Sequence, residues 1–347
     1  MAARTFLTRQ PDPGPSSRRK YLSLLGSPDL STFEDEVVKR VLNELRKSSP
    51  QSALPVRLST VADRFLIKPK PEMIEGNHDG EIDFHSGSGM FVIKLCQTAD
   101  TSSAKRRSGL ARLRFTYAHE MAHRFFFIPN SGAWIRAVDA VLAGLPAPLA
   151  MKERITIGRI EEGVCNNIAR RLLMPHDSLV SECKIDEWFI EDRAFSRRLA
   201  NTARKFGVSL DCLLVRLQRA SQSHEISSRG SYCVFVIALS RGHVLRRGDL
   251  KPRVITALLP ETVGDFRPKR VYPGFTLDKF GQETVEAIAP LLSEISPPSG
   301  RTKHLLTLAG ERQGAQSKQD FLIDGWWQIL SPERSQGRRL VLWGKLS

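Results

Sequence analysis

Apolar residues recur at helical spacing along several stretches of the chain, and each stretch predicts a helix with one buried face. The first begins at Ser31 or Thr32, either of which can cap it, and stops before Pro50. Its apolar stripe consists of Val37, Val38, Val41, Leu42 and Leu45. A short helix is expected over residues 59–65, with Val61, Ala62 and Phe65 facing inward. Further helices are expected over residues 112–127, 134–142 and 157–174, and two more within 188–220.

Other stretches have the shorter period of β-strands. Residues 80–84 alternate and residues 90–95 are β-prone, so the glycine-rich turn 86–89 between them predicts a hairpin. Residues 97–111 are polar and basic and predict a loop. After residue 225 the patterns predict strands at 232–239, 253–258, 305–308 and 339–343, with one helix at 282–295.

These elements predict an α+β fold in four parts. Residues 1–30 are rich in Pro, Ser and Arg and are expected to form a disordered tail. Residues 31–187 are expected to form a mostly helical domain with a small β-sheet. A helix-turn-helix-like unit follows over residues 188–224, and a C-terminal α+β domain over residues 225–347.

Composition narrows the class of protein. Hydrophobic residues make up 41% and charged residues 26%, which is typical of a soluble globular protein, and no apolar run predicts a membrane span. The N-terminus lacks the apolar core of a secretory signal, and the five cysteines are scattered without a paired spacing. These features favour a reducing compartment, so a cytoplasmic location is expected. The net charge of +15 favours acidic partners, of which nucleic acid is the commonest.

The stretch from Phe115 to His123 carries candidate chemistry. His119 and His123 are four residues apart, so a helix places their imidazoles on one face, within reach of one metal ion. Glu120 follows His119 by one residue and lies beside such an ion, where a carboxylate can act as a general base. The pattern therefore predicts a metal site with His119 and His123 as ligands and Glu120 as catalytic base.

A catalytic zinc ion needs a third protein ligand and an open position. Glu162 lies in a downstream helix with Asn166 on the same face, so Glu162 can bind the metal while Asn166 orients a histidine ring. Glu161 is the competing candidate, and His176, beyond Pro175, is a weaker one. Two histidines and a carboxylate admit Zn²⁺ or Mn²⁺.

These residues resemble a known family. The pattern Phe115-Thr116-x-Ala118-His119-Glu120-x-x-His123, followed by Glu162-x-x-Cys165-Asn166-x-x-Ala169 and Leu172-Leu173-Met174-Pro175, is similar to the ImmA/IrrE metallopeptidases. The resemblance spans roughly residues 50–220 and favours Glu162 over Glu161 as third ligand. Cys165 and Ile168 replace the family's usual alanine and phenylalanine, and the stretch between His123 and Glu162 is about a dozen residues longer than expected.

The resemblance implies a cytosolic zinc-dependent endopeptidase. Its expected substrate is a helix-turn-helix transcriptional repressor, whose cleavage relieves repression in a stress response. The family sometimes carries a GAF-like sensor domain, which the C-terminal region matches in size and order. Two other functions stay open: a DNA-binding regulator with a structural or inactive metal site, and the toxin of a toxin–antitoxin pair.

Two further assignments stay open at this point. Tyr117, Arg124 and His176 lie near the motif, but none is identified as the residue that stabilises the oxyanion. The helices around Phe206 to Ser209 carry seven basic residues against Asp211, which permits DNA contact. Their leucines must be buried, however, and this leaves few residues for a groove. The basic residues are Arg193, Arg197, Arg198, Arg204, Lys205, Arg216 and Arg219.

Overall fold

The chain folds into two compact units. The first consists of residues 1–97 and 113–173, and the second of residues 98–112 and 174–347. This computed structural model describes residues 15–48, 54–72, 79–96, 103–183, 195–222, 232–238, 253–258, 266–268, 299–313, 315–330 and 339–346. Helices predominate over three small sheets, which confirms the α+β class. The finer four-part domain layout stays a prediction.

Helices form most of the first unit. They are α1 Pro15–Leu24, α2 Leu30–Ser48, a 3₁₀ helix Leu58–Phe65, α4 Ala137–Leu142 and α5 Ala147–Leu173. Helix α3, Ser103–His123, contributes its residues 113–123 and continues into a 3₁₀ turn, Arg124–Phe126. Residues 103–111, which were expected in a loop, therefore form the first half of α3.

Helix α2 confirms its predicted stripe but begins with a different cap. Val37, Val38 and Val41 are buried together with Phe33. Asp29, rather than Ser31 or Thr32, caps the helix, because its carboxylate accepts hydrogen bonds from the Thr32 backbone amide and hydroxyl, both at 2.9 Å. The 3₁₀ helix buries Val61, Ala62 and Phe65 as expected.

The N-terminal segment differs from the expected disordered tail. Residues 15–24 form α1, and Tyr21 is buried there with its ring stacked on Phe126 at a centroid distance of 6.3 Å. The Tyr21 hydroxyl donates a hydrogen bond to the buried Glu161 carboxylate, a contact that composition does not reveal. Residues 1–14 lie outside the described residues.

A three-stranded sheet lies in the first unit with strand order β1-β3-β2. Strands β2, Gly80–His85, and β3, Met90–Cys96, form the predicted antiparallel hairpin. Strand β1, Ile67–Glu72, runs parallel to β3 and was not predicted, because Pro69 and Pro71 interrupt its pattern. Both prolines are tolerated because β1 is an edge strand, where one side of the backbone needs no partner.

A second hairpin occupies part of a region expected to be helical. Strands β4, Phe127–Asn130, and β5, Ala133–Arg136, pair around a turn at Ser131 and Gly132. Helix α4 begins only after this hairpin, and α5 begins at Ala147 rather than at residue 157. The hairpin lies within the long stretch between His123 and Glu162.

In the second unit, α6 His176–Cys183 precedes α7 Phe195–Phe206 and α8 Leu210–Gln222. The break between α7 and α8 confirms the predicted helix pair, and Ser209 caps α8 by accepting a bond from the Cys212 amide at 3.2 Å. Helix α8 is buried over residues 212–217, and Arg216, which was counted among the basic residues of this helix pair, is only 2% exposed.

The C-terminal part of the second unit contains a six-stranded antiparallel sheet of order β7-β6-β11-β10-β9-β8. The predicted strands correspond to β6 Tyr232–Ala238, β7 Arg253–Leu258, β9 Ser299–Arg312 and β11 Arg339–Leu346. Strands β8 Phe266–Pro268 and β10 Ala315–Leu330 were not predicted. The expected helix over residues 282–295 lies outside the described residues.

Candidate metal centre

The last turns of α3 place both histidines of the motif on one face. The Nε2 atoms of His119 and His123 lie 3.0 Å apart, as expected for residues separated by four positions in a helix. Ala118, Met121 and Ala122 are fully buried and anchor the opposite faces of the helix. The side chains of His119 and His123 are only 13% and 8% exposed. Packing therefore holds the two rings in fixed positions.

Helix α5 brings Glu162 to this pair. Its carboxylate oxygens lie 3.1 Å from His119 Nε2 and 3.2 Å from His123 Nε2. Glu161 precedes Glu162 by one residue and points to a different side of the helix, where its Oε1 lies 3.0 Å from His123 Nδ1. Of the two carboxylates considered from the sequence, Glu162 thus meets the Nε2 atoms and Glu161 meets the back of one ring.

The donor atoms fit a zinc ion. Zinc bonds of about 2.0–2.1 Å in a tetrahedron place neighbouring donors about 3.3 Å apart. The two imidazole nitrogens lie 3.0 Å apart, and each lies 3.1 or 3.2 Å from one of the two Glu162 carboxylate oxygens, close to that value. These three residues form the metal-compatible cluster found among the described residues. Two imidazoles and a carboxylate also admit manganese.

The cluster opens to solvent on one side. The Glu162 side chain is 56% exposed, in contrast to the His119 side chain, which is 13% exposed, and to buried His123. A structural zinc site is closed by four protein ligands, whereas a catalytic site has three and keeps one position open. Among the described residues the cluster has three such donors and one exposed side, which is compatible with the second type.

Acidic groups dominate the electrostatics around His123. Burial alone would lower the pKa of His123, but hydrogen bonds with Cys165, Glu161 and Glu162 outweigh it and raise the pKa to about 12. Hydrogen bonds from both histidines hold the pKa of Glu162 well below its usual range. Such a negative environment favours a cation between the two rings.

Glu120 lies beside the cluster in a confined position. Its residue is 8% exposed, and burial raises the pKa of its carboxyl despite the nearby histidines. Gly80, the first residue of β2, packs against it so closely that a Cβ atom there would lie 3.1 Å from Glu120 Cγ. The same Cβ would lie 2.6 Å from Thr116 Cγ2. The absence of a side chain at position 80 leaves the space that Glu120 occupies.

The remaining sequence candidates lie elsewhere. Asn166 is half-buried and makes no hydrogen bond to either histidine among the described residues, whereas Glu161 Oε1 lies 3.0 Å from His123 Nδ1. His176 is exposed and is not a member of the cluster. The Arg124 guanidinium carbon lies 4.0 Å from the ring centroids of both Phe91 and Trp134, which marks a packing role.

Three residues of the site were missed by the sequence reasoning. Gly80 shapes the position of Glu120, and Tyr21 and Arg136 both contact Glu161. Tyr21 and Arg136 lie 140 and 25 positions from Glu161 along the chain, so no local pattern connects them. Only the fold brings them together.

Comparison with known proteins adds no family assignment. No family model matches the chain, and no curated protein matches it. The resemblance to the ImmA/IrrE metallopeptidases therefore stays a prediction based on the motif residues.

Proposed function

We propose that this protein is a zinc-dependent endopeptidase of the ImmA/IrrE type. The observation that carries the proposal is the convergence of His119, His123 and Glu162, with Glu120 beside them. The two histidines come from α3 and the third ligand from α5, so the fold brings together residues that a chance motif would leave apart. The exposed side of the cluster gives a polypeptide access to it.

His119, His123 and Glu162 would hold the metal. Zinc bound there supplies Lewis acidity, which polarises the scissile carbonyl and lowers the pKa of water to about 7. The open side beside Glu162 admits the substrate. Charge is balanced in this arrangement, because three carboxylates (Glu120, Glu161 and Glu162) are matched by a divalent cation and Arg136.

Glu120 acts as the general base. It accepts a proton from the attacking water as the new carbon–oxygen bond forms, and it returns that proton to the amine as the peptide bond breaks. A buried carboxyl with a raised pKa suits both steps, because it exchanges a proton more readily near neutral pH. General acid–base catalysis of this kind contributes about 10²–10⁴-fold to the rate.

The proposed substrate is a cytosolic helix-turn-helix repressor, whose cleavage relieves repression in a stress response. The support for this substrate is the motif resemblance. No helix among the described residues has the length and apolar character needed to cross a membrane. The C-terminal region, residues 225–347, is proposed as the sensor part, in line with its expected GAF-like character.

The rival DNA-binding function has less support. A helix-turn-helix protein inserts an exposed face of its second helix into the major groove. In α8 the residues from Cys212 to Leu217 are all buried, and the exposed basic residues Arg197, Arg198, Arg204 and Lys205 lie on α7 instead. A toxin function differs from the proposed one in its target, and the same cleavage assay distinguishes them.

Substitution of Glu120 tests the reaction. Glu120→Gln is expected to keep one zinc ion per chain and to lower kcat by about 10²–10⁴-fold, because it removes only the base. His123→Ala is expected to lose both zinc and cleavage. Zinc is measured by elemental analysis, and cleavage by gel assay of denatured casein and of a helix-turn-helix repressor, with and without EDTA.

Glu81→Gln is the matched control, since Glu81 is a half-exposed strand residue that pairs with Lys94. It is expected to cleave at the parental rate. Parental cleavage by Glu120→Gln would show that Glu120 is not the base. A chain without zinc and without chelator-sensitive cleavage would rule out the peptidase.

A further inference from the structure

Glu161 is a buried carboxylate with every oxygen engaged. It is 1% exposed, and its Oε1 accepts a hydrogen bond from His123 Nδ1 at 3.0 Å and another from the Arg136 guanidinium. Its Oε2 accepts a hydrogen bond from the Tyr21 hydroxyl at 3.0 Å. These partners come from α3, β5 and α1, three elements separated in sequence.

The burial of this carboxylate needs a physical explanation. An ionised carboxylate in a protein interior is strongly unfavourable unless it is paired and hydrogen-bonded. Here the His123 ring, the Arg136 guanidinium and the Tyr21 hydroxyl all donate hydrogen bonds to the buried carboxylate. Three side chains thus hydrogen-bond to one residue that is not a member of the metal-compatible cluster.

The geometry at His123 supplies that reason. A histidine that binds a metal through Nε2 must carry its proton on Nδ1, and a carboxylate bonded to Nδ1–H holds that tautomer and raises the basicity of the ring. His119 has no such support, because its Nδ1 is buried without a hydrogen-bond partner in the described part of the chain. Of the two proposed histidine ligands, His123 is therefore the one whose ring is oriented by a hydrogen bond at Nδ1.

We propose that Glu161 is a positioning residue for the metal ligand His123, and that Tyr21 and Arg136 hold Glu161 in place for this role. This inference rests on the proposed metal site and adds three residues to it. It makes α1 and the β4–β5 hairpin parts of the metal-binding device. The N-terminal helix then has a function that a mobile tail would not have.

Zinc affinity of the full chain tests the proposal. The metal is removed with EDTA, and zinc is then titrated back in competition with a chromophoric chelator. Glu161→Gln is expected to weaken zinc binding by about 10–100-fold, the usual effect of losing a carboxylate behind a histidine ligand. Tyr21→Phe, which removes one hydroxyl, is expected to weaken it by less, up to about tenfold. The double variant is expected to lose less than the product of the two factors, because both act through one carboxylate.

Controls separate positioning from general stability. Tyr117→Phe also removes a buried hydroxyl, but one with no hydrogen-bond partner among the described residues, and is expected to leave zinc affinity unchanged. Cobalt is used as a spectroscopic probe, because a reoriented His123 changes the visible spectrum of the Co²⁺ form. Unchanged melting of the metal-free variants, together with weaker zinc binding and an altered cobalt spectrum, supports positioning.

The outcomes also separate this inference from the proposed function. A parental chain that binds no zinc overturns both. A parental chain that binds zinc, with Glu161→Gln and Tyr21→Phe binding it equally well, overturns only the positioning role. If Glu161→Gln does not fold, Tyr21→Phe decides alone, and an affinity equal to that of Tyr117→Phe overturns the proposal.

Discussion

At the residue scale, the position of Glu120 depends on a contact with backbone rather than with a side chain. Gly80 begins β2 directly against the α3 face that carries Thr116 and Glu120. Thr116 is 7% exposed and Glu120 is 8% exposed, so neither can move outward to make room. The distance between β2 and α3 at this point therefore sets where the base lies.

Gly80→Ala is expected to impair catalysis while sparing the metal. Its Cβ would lie 2.6 Å from Thr116 Cγ2, so side chains there must shift, and displacing a catalytic group by about 1 Å can lower the rate 10²-fold. Neither contacted residue is a proposed ligand, so zinc affinity is expected to stay parental. The measurement compares kcat with zinc affinity for the same preparation.

Two further variants test whether the close contact at position 80 causes the loss of activity. Thr116→Ser removes the Cγ2 atom of the closest contact, and is expected to restore part of the activity when combined with Gly80→Ala. Gly87→Ala places a Cβ in open space at the turn of the same hairpin and is expected to be silent. An unchanged kcat in Gly80→Ala would show that catalysis does not depend on the missing side chain at position 80.

The sequence predicts residues whose relation is local and fails where the relation is only spatial. His119, Glu120 and His123 lie within one helical segment, so their spacing alone places them on adjacent faces. Glu161 and Glu162 could not be assigned separate roles by spacing alone, because that choice depends on how α5 is rotated against α3. Their contacts distinguish them: Glu162 faces the Nε2 atoms and Glu161 faces Nδ1.

At the element scale, the β4–β5 hairpin lies in the stretch that joins the two halves of the site. Ser131 and Gly132 have φ values of 46° and 83°, and positive φ at both central residues is the requirement of a type I′ turn. Strand β5 then carries Trp134, which covers Arg124, and Arg136, which pairs with Glu161. The turn at Ser131 and Gly132 is therefore linked to the candidate metal centre through Arg136 and Glu161.

Gly132→Ala is expected to destabilise the protein by about 1–2 kcal/mol, because an L-residue pays that amount in the left-handed region. A weaker hairpin also loosens Arg136, so amide exchange in β4 and β5 is expected to accelerate. Denaturant unfolding gives the free energy, and hydrogen exchange locates the change.

The same substitution in α5 is the matched control. Gly158→Ala places its Cβ in open space within a helix and is expected to stabilise by about 1 kcal/mol, the propensity difference between the two residues. Opposite signs at positions 132 and 158 support the turn assignment. Equal effects at the two glycines would contradict it.

Elements with a strong apolar period were predicted, and elements without one were not. Helix α2 buries the regular face that its sequence displays, and strand β3 buries three consecutive residues of its β-prone run. The hairpin strands have four residues each, too few to show a period, and Trp134 to Leu142 could be read as one helix. Short elements such as these form because other parts of the fold pack against them. Their own sequence does not contain that information.

At the scale of the whole molecule, all three proposed ligands belong to one unit. His119 and His123 lie in the part of α3 assigned to the first unit, and Glu162 lies in α5 of the same unit. A bound ion therefore adds a second link between two helices that the His123–Glu161 hydrogen bond already joins, and the other Glu161 contacts extend this link to α1 and β5. The β6–β11 sheet supplies no proposed ligand.

Zinc is accordingly expected to protect the two units unequally. A ligand present at 1,000 times its Kd stabilises the bound state by about 4.1 kcal/mol, and that free energy acts on the segments whose opening releases it. Hydrogen exchange of the full chain, followed by mass spectrometry with and without zinc, is expected to slow in residues 113–126 and 157–173. Exchange in β9, β10 and β11 is expected to stay the same, because opening those strands leaves every ligand in place. His123→Ala should abolish the zinc effect in both helices, whereas protection that appears mainly in the C-terminal sheet would place the ion elsewhere.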